Sequence, residues 1–220
     1  MEKNEAIKNA VQRFASQKHM FQRFLNAVVD CFKLEPSLNE YGRPVIHSVK
    51  SRIKDEDHLR DKLSRKINAD VPITEENIFE KVTDLAGVRI LHLYQDQLTF
   101  IHNFIMGVVS SGDWRLYETP IAYSWDPESQ KFFESLGLDV KIKDSYYTSI
   151  HYVVMPANDD RVKCEIQVRT LFEEAWGEID HTINYPEPSQ SIATREQLKV
   201  LSKLVSTGTR LADSIFRLHT

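Results

Sequence analysis

Residues 82–93 read Val-Thr-Asp-Leu-Ala-Gly-Val-Arg-Ile-Leu-His-Leu, and the run Val88-Arg89-Ile90-Leu91 within them predicts a β-strand. Apolar residues at helical spacing follow and predict a helix over 96–110. A strand that leads into a helix is typical of an α/β layer. The alternation continues, with a helix predicted over 127–136 and strands near 114–119, 139–143, 149–155 and 162–168. The segment therefore indicates an α/β fold in which helices flank a mixed β-sheet.

Both ends of the chain are predicted to be helical. Apolar residues at helical spacing predict one long or two shorter helices over 4–33, ended by Pro36 and Pro44, and a further helix over 48–68, ended by Pro72. The closing helices are predicted over 169–182 and 194–218. We therefore expect three parts: an N-terminal helical segment at 1–45, a central domain at 46–185 and a C-terminal helix at 186–220.

The composition limits the class of protein. The chain has 220 residues, of which 41 % are hydrophobic, and this suffices for one substantial core. The N-terminus is polar and no run of about 18 apolar residues occurs, so neither export nor a membrane span is predicted. Cys31 and Cys164 lie far apart without a Cys-x-x-Cys motif, which argues against a disulfide framework and favours a cytoplasmic protein.

The glycine content limits how the chain could bind phosphate. Only 7 glycines occur and neither glycine-rich phosphate-binding motif is present, so cationic side chains would have to hold any phosphate. Lys54, His58, Lys62 and Arg65 fall on one face of the helix predicted over 48–68, and Arg52 could join them from its first turn. This stripe is typical of either a solvated helix face or a cradle for a triphosphate.

Two carboxylates are candidates for chemistry. Asp84 stands at the mouth of the strand at 88–91, where it could be a turn residue or a ligand for Mg²⁺. In the strand predicted near 162–168, Glu165, Gln167 and Arg169 share one face, which fits either an exposed sheet face or three functional side chains at a cleft.

The segment at 143–151 mixes aromatic rings, hydroxyl groups and a histidine. Such residues are ordinary strand formers, and His151 in that setting would be a hydrogen-bonded core histidine. The functional alternative is that an aromatic ring of this segment stacks on a nucleotide base.

Together these pieces resemble the RelA/SpoT-type alarmone synthetase family, whose fold is related to nucleotidyltransferases. The resemblance covers most of 45–185. It rests on these motifs, in chain order: Arg52-Ile53-Lys54 followed by Lys62, the run 84–90, Tyr147 with His151, and the run 165–170 leading into 175–181.

The resemblance implies transfer of pyrophosphate from ATP to the ribose 3′-hydroxyl of GDP or GTP, with Mg²⁺ as cofactor. It implies that Asp84 and Glu165 are the catalytic and metal-binding residues, Glu165 serving the metal or acting as general base. The residues implied to bind ATP are Arg52, Lys54, His58, Lys62 and Arg89. Those implied to bind the acceptor are Lys143, Ser145, Tyr147, His151, Gln167 and Arg169, with Tyr147 stacking on the base.

The acceptor loop departs from the family pattern Asn-Gly-Tyr-Arg-Ser. Residues 145–149 read Ser-Tyr-Tyr-Thr-Ser, so Tyr146 replaces the glycine and Thr148 the arginine. The acceptor therefore stays open between a guanine nucleotide and the acceptors of toxin-like members, an adenine nucleotide or the 3′ end of tRNA, which would bring an antitoxin partner. The basic residues that would favour tRNA are Arg195, Lys199, Lys203 and Arg210.

Three further expectations concern activity and assembly. No histidine is followed by aspartate, the dipeptide of the family's hydrolase domain, so synthesis without hydrolysis is predicted. A catalytically silent nucleotide sensor is the alternative to an enzyme, and the presence of both Asp84 and Glu165 argues against it. The apolar stripe of the last helix could form a contact in a homo-oligomer or pack on its own domain.

Overall fold

Seven strands form one mixed sheet in the computed structural model, which describes residues 2–40, 42–65, 73–185 and 187–219. The strands are β1 (Ser48–Ile53), β2 (Ala86–His92), β3 (Trp114–Leu116), β4 (Ile121–Tyr123), β5 (Asp139–Lys141), β6 (Ser149–Pro156) and β7 (Cys164–Thr170). The α-helices in the described residues are α1 (Glu2–Leu34), α2 (Glu56–Arg65), α3 (Ile78–Lys81), α4 (Leu98–Ser110), α5 (Pro127–Ser135), α6 (Leu171–Asn184) and α7 (Ile192–His219).

The strand order places the last strand of the chain near the middle of the sheet. The order is β1-β2-β7-β6-β4-β5, and β3 pairs with β6. Strands β2 and β7 are parallel, as are β4 and β5, while the other pairs are antiparallel. The expected α/β fold with a mixed sheet flanked by helices is confirmed.

The two faces of the sheet differ in character because side chains alternate along each strand. One face is apolar: Val88, Ile90, Ile166 and Val168 are buried in one core with the aromatic residues of α1, among them Phe14. The opposite face of the central strands carries polar side chains from four neighbouring strands. They are Lys50, Arg52, Arg89, His151, Glu165, Gln167 and Arg169.

The helix predicted over 48–68 is wrong in its first part. Residues 48–53 form β1, and the helix begins only at Glu56. The alternation of residues 48–53 supplies an edge strand for β2, and Asp55 then accepts hydrogen bonds from the backbone N–H groups of Asp57 and His58, which starts α2. Positions 66–68 of the predicted helix, and Pro72, lie outside the described residues.

The other predicted elements are found with shifts of a few residues at their ends. The structure adds strand β4 and the one-turn helix α3, which are too short to show a period in the sequence. Cys31 and Cys164 are both free thiols. Throughout the described part of the chain, every helix is either too short or too polar to cross a bilayer.

Helix α7 buries its polar side more than its apolar stripe. Ser202, Thr209 and Asp213 are buried together with Leu198, and Arg210 forms an ion pair with the buried Asp126, the N-cap of α5. The stripe residues Leu204, Leu211, Ile215 and Leu218 are exposed. The stripe therefore packs on its own domain only in its first part, at Leu198, and its second part faces solvent.

Candidate active site

Three chain segments meet at one edge of the sheet. Asp84 lies just before β2, and Glu165 lies in β7, whose parallel register places it opposite Gly87. Strand β1 runs antiparallel to β2, so Lys54, which follows β1, arrives beside the start of β2 and its backbone N–H donates to Leu85 O at 2.8 Å. The strand register thus explains why these residues, distant in the sequence, share one site.

Asp84 is held between two ammonium groups. Its Oδ2 accepts from Lys54 Nζ at 2.7 Å and its Oδ1 from Lys62 Nζ at 2.6 Å. Burial raises the pKa of Asp84, but the two lysines lower it more, and the pKa falls to about 2. The carboxylate is therefore ionised at neutral pH. Lys54 and Lys62 converge as the spacing predicts, although Lys54 precedes the helix instead of lying on it.

Two adjoining clefts share Asp84, Arg52 and His181 in their walls. The first has a volume of about 300 Å³ and lies on the polar face of the sheet, with Arg89, Glu165 and Gln167 in its walls. The second has a volume of about 700 Å³ and lies between β1, α2 and the end of α6. Its cationic wall holds Arg52, Lys54, His58, Lys62 and Arg65. Cationic groups from several elements around one cleft are suited to a polyphosphate.

Glu165 connects the first cleft to a histidine and an amide. Its carboxylate contacts His151 Nδ1 at 3.1 Å and accepts from Gln167 Nε2 at 2.7 Å. Burial raises the pKa of Glu165 and the charge of Asp84 also raises it, but the contact with His151 lowers it more, so the pKa lies below its ordinary value. His151 Nε2 lies 3.0 Å from Tyr147 Oη, so this histidine joins two candidate site residues and is not simply a core histidine.

Tyr147 lies among cations and rings. Arg169 donates to its hydroxyl at 3.0 Å, and Lys143 Nζ lies 4.4 Å from the centre of its ring. The rings of Tyr123 and Trp176 lie within 6.2 Å of the same ring, centre to centre. The predicted acceptor residues Lys143, Tyr147, His151, Gln167 and Arg169 are thus brought together. Ser145 lies in the preceding turn. Of the six predicted acceptor residues, Gln167 lines a cleft and the other five do not, as far as the described residues show.

Tyr146 adopts a backbone conformation that favours glycine. Its φ is 63°, in the left-handed region, which costs a non-glycine residue about 1–2 kcal/mol. Its ring stacks on Trp125 with 5.3 Å between the centres, and its carbonyl accepts from Ser202 Oγ of α7 at 2.8 Å. Tyr146 therefore has a left-handed backbone conformation, which a glycine adopts easily. The contacts with Trp125 and Ser202 stabilise this conformation.

Arg89 lies in the first cleft, apart from the lysines that contact Asp84. Its guanidinium contacts Glu174 at 3.1 Å and Glu178 at 2.6 Å, and both acids belong to α6. The register pairs Arg89 with Lys50, whose ammonium also contacts Glu174, at 2.9 Å. His58 lies in the first turn of α2 and its ring meets the ring of Tyr185 edge-on.

The sequence analysis assigns no role to several residues in or beside the clefts. They are Lys50, Glu174, Glu178, His181 and Tyr185, of which Glu174 lies beside the first cleft and contacts Lys50 from its wall. Glu174 and Glu178 are separated by four residues, so their shared helix face is a detectable signal once α6 is known to follow a strand of the site. Lys50 could be found only by interpreting 48–53 as a strand, because only then does it share a face with Arg52.

The two carboxylates fit a Mg²⁺ ion as far as their chemistry goes. Mg²⁺ prefers oxygen ligands and commonly takes one or two carboxylates together with substrate phosphates and water. Asp84 and Glu165 both line the first cleft, and each is charged at neutral pH. In the part of the chain that the structure covers, no three metal-ligating side chains cluster, so a bound phosphate would have to complete the ligand set.

Comparison with known proteins relates this arrangement to one family. The model of the region found in RelA / SpoT proteins matches residues 51–190, which include every residue that lines the two clefts except Lys50. The chain is 29 % identical over 150 residues to the GTP pyrophosphokinase YwaC of Bacillus subtilis (strain 168). That match covers 66 % of this chain and 61 % of the relative, so it spans less than two thirds of the relative's length.

Solved structures show the same fold. The small alarmone synthetase 1 of Bacillus subtilis, bound to its product pppGpp, aligns with a TM-score of 0.69 at 21 % identity and covers 94 % of this chain and 97 % of its own. A GTP pyrophosphokinase family protein of Streptococcus pneumoniae aligns with a TM-score of 0.64 at 19 % identity over 98 % of this chain and 93 % of its own.

Proposed function

Because the chain belongs to the RelA/SpoT family, we propose that it is an ATP-dependent pyrophosphotransferase that makes an alarmone from GDP or GTP. The observation that carries this proposal is the pair of charged carboxylates, Asp84 and Glu165, between a cationic cleft and an aromatic cluster. Donor and acceptor nucleotides need these two environments, one for a polyphosphate and one for a base.

On the donor side, the cationic wall would bind the ATP triphosphate. Lys54 and Lys62 are already within hydrogen-bonding distance of Asp84, so a phosphate oxygen beside Asp84 would meet both ammonium groups. Arg52 lines both clefts and can contact the donor from either side. Arg65 extends the positive wall along α2, and His58 adds an imidazole beside it.

In the reaction, a bond forms between the acceptor 3′-oxygen and the β-phosphorus of ATP. The bond from that phosphorus to the oxygen shared with the α-phosphate breaks, and AMP leaves with that oxygen. Glu165 would take the proton of the 3′-hydroxyl, and Gln167 and His151 hold the carboxylate in place. A Mg²⁺ ion held by Asp84 and Glu165 would offset charge on the transferred group.

On the acceptor side, Tyr147 would provide the stacking surface for the base. Arg169 and His151 contact its hydroxyl and fix its ring, and Arg169 and Lys143 add positive charge beside it. The last helix favours a free nucleotide over tRNA as acceptor, because Arg210 is paired with Asp126 and Lys199 with Glu196. These pairs reduce the positive charge that a tRNA backbone would require.

The test is label transfer with purified protein. ATP labelled at the β- or γ-phosphate is incubated with Mg²⁺ and, separately, GDP, GTP, ADP, ATP or deacylated tRNA. We expect both labels in a guanosine product. Label in tRNA or an adenine nucleotide would show a toxin-like enzyme instead, and absence of transfer to every acceptor would contradict the proposal and favour a nucleotide sensor.

Changing Tyr147 to alanine should raise the KM for GDP or GTP by about 10- to 100-fold, since base stacking on an aromatic ring contributes about 1–3 kcal/mol. The KM for ATP, measured at low acceptor concentration, should change by less than about threefold, because the lysines of the donor cleft do not contact this ring. Steady-state kinetics with each substrate varied in turn gives both values.

Two controls sharpen that experiment. Tyr147→Phe keeps the ring and removes only the hydroxyl contacted by Arg169 and His151, so it should retain most of the acceptor affinity. Tyr117→Ala, in a cavity away from both clefts, should leave the KM values unchanged. Equal losses of affinity for ATP and acceptor in Tyr147→Ala would rule out the stacking role.

A further inference from the structure

Glu174 lies where three strands present cations to one carboxylate. It occupies the first turn of α6 and its side chain is only 7 % exposed. Its carboxylate oxygens lie 2.9 Å from Lys50 Nζ of β1, 3.1 Å from Arg89 Nη1 of β2 and 3.3 Å from Arg169 Nη1 of β7. Glu174 alone thus links polar side chains of β1, β2 and β7.

The three cations belong to different sides of the site. Lys50 and Arg89 line the first cleft beside Asp84. Arg169 points the other way, since its Nη2 donates to Tyr147 Oη at 3.0 Å and to Gln167 Oε1. Glu174 therefore contacts both an arginine of the donor side and the arginine that fixes the acceptor tyrosine.

Arg169 has little freedom to find another position. Its side chain is 4 % exposed, and it lies against α6 at Gly177, where an added Cβ would come within 2.7 Å of its guanidinium. Arg169 Nε and Glu174 Oε2 are among the buried atoms of the described residues that lack a hydrogen-bond partner, although Oε2 lies 3.3 Å from Arg169 Nη1 in their ion pair. The contact between the two residues is therefore an ion pair without a well-aligned hydrogen bond, which a small adjustment can tighten when a substrate binds.

We propose that Glu174 is a positioning residue that couples the donor and acceptor sites, an inference that rests on the proposed function. A shift of Arg89 upon ATP binding changes the contact that Glu174 makes with Arg169, and Arg169 carries the change to Tyr147. Because such coupling is reciprocal, each nucleotide should change the affinity for the other by the same factor.

The neighbouring Glu178 provides a matched control. It lies one helical turn further along α6 and contacts Arg89 at 2.6 Å, but its side chain is 56 % exposed and its ion pair does not include Arg169. Removing its charge should therefore affect the donor side alone.

The experiment measures binding by calorimetry with a non-hydrolysable ATP analogue, with GDP, and with each in the presence of the other. In the unchanged protein, the analogue should change the Kd for GDP by about fivefold or more. Glu174→Gln should weaken binding of both nucleotides and bring that factor close to one. Glu178→Gln should change the Kd of the analogue alone and keep the factor.

The outcomes separate the two proposals. If the unchanged protein binds neither nucleotide, the proposed function and this inference both fail. If it binds both with no mutual effect, or if Glu174→Gln leaves the factor unchanged, only this inference fails.

If Glu174→Gln does not fold, Glu174→Asp takes its place. It keeps the charge but retracts it by one methylene group, so it should lose the coupling while its thermal melt stays cooperative. A Glu174→Asp protein with the original coupling factor would show that charge alone suffices and would overturn the positioning role.

Discussion

Replacing Asp84 with asparagine should lower the rate of pyrophosphate transfer by about a thousandfold or more, because the loss of a metal-binding carboxylate removes several kcal/mol of charge stabilisation. The change also removes the anion that holds Lys54 and Lys62. Both lysines then become available to phosphate, so binding of ATP without Mg²⁺ should persist or tighten while turnover falls. Rate measurements with saturating ATP and acceptor, combined with analogue binding, separate the two effects.

A neighbouring carboxylate provides the control for Asp84. Asp61 lies on α2 beside Lys62 and is exposed. Asp61→Asn removes the same charge from the same region and should leave the rate within about twofold. Far-UV circular dichroism should show an intact fold in both variants. Turnover near the original value in Asp84→Asn would exclude Asp84 from the reaction.

Replacing Glu165 with glutamine should lower kcat by about 100- to 10,000-fold, the range that a general base contributes. Glutamine keeps the shape and can still contact His151 and Gln167, but it cannot accept the proton of the hydroxyl. The KM values for ATP and acceptor should change little, since glutamine keeps one side-chain oxygen for Mg²⁺ and no stacking contact is lost. Single-turnover measurements with pre-bound substrates report the chemical step directly.

The pH profile adds an independent test of Glu165. Its pKa lies below the ordinary value, so the carboxylate stays ionised at pH values where an ordinary glutamate takes up a proton. Protonation of Glu165 should lower kcat at acidic pH. This decrease should occur at a lower pH than an ordinary glutamate would give, and it should be absent in Glu165→Gln. Glu118 is exposed, and its charge, like that of Glu165, raises the pKa of Tyr123. The control variant Glu118→Gln should retain both the rate and the pH profile. An unchanged kcat in Glu165→Gln would rule out the base.

The sequence predicts the parts of the site that depend on short repeats. Glu165, Gln167 and Arg169 form a hydrogen-bonded row because a strand repeats every two residues, and that period is visible in the sequence. The convergence of Lys54 and Lys62 is also predicted, but for a helix that does not include Lys54. Lys54 reaches Lys62 because β1 runs antiparallel to β2, and not because the two lysines share a helix face.

The parts that the sequence does not predict depend on how elements cross. Glu174 contacts Lys50, Arg89 and Arg169 only because α6 folds back over β1, β2 and β7, and no local pattern encodes that path. Interpreting 48–53 as helix removes Lys50 from the sheet, so its contact with Glu174 cannot be foreseen. An edge strand that is mostly polar gives a weak period-two signal, which explains the misassignment.

The position of β7 in the sheet has a consequence for biosynthesis. This strand is made after all the others, yet it lies between β2 and β6 and joins them. A growing chain on the ribosome can pair β1 with β2 beside Asp84 and, separately, pair β6 with β3 and β4, but it has no continuous sheet until residues 164–170 emerge. Because pairing between distant segments is slow, assembly of the site is a late event. A nascent chain that ends before residue 164 therefore lacks the strand that brings Glu165 beside Asp84.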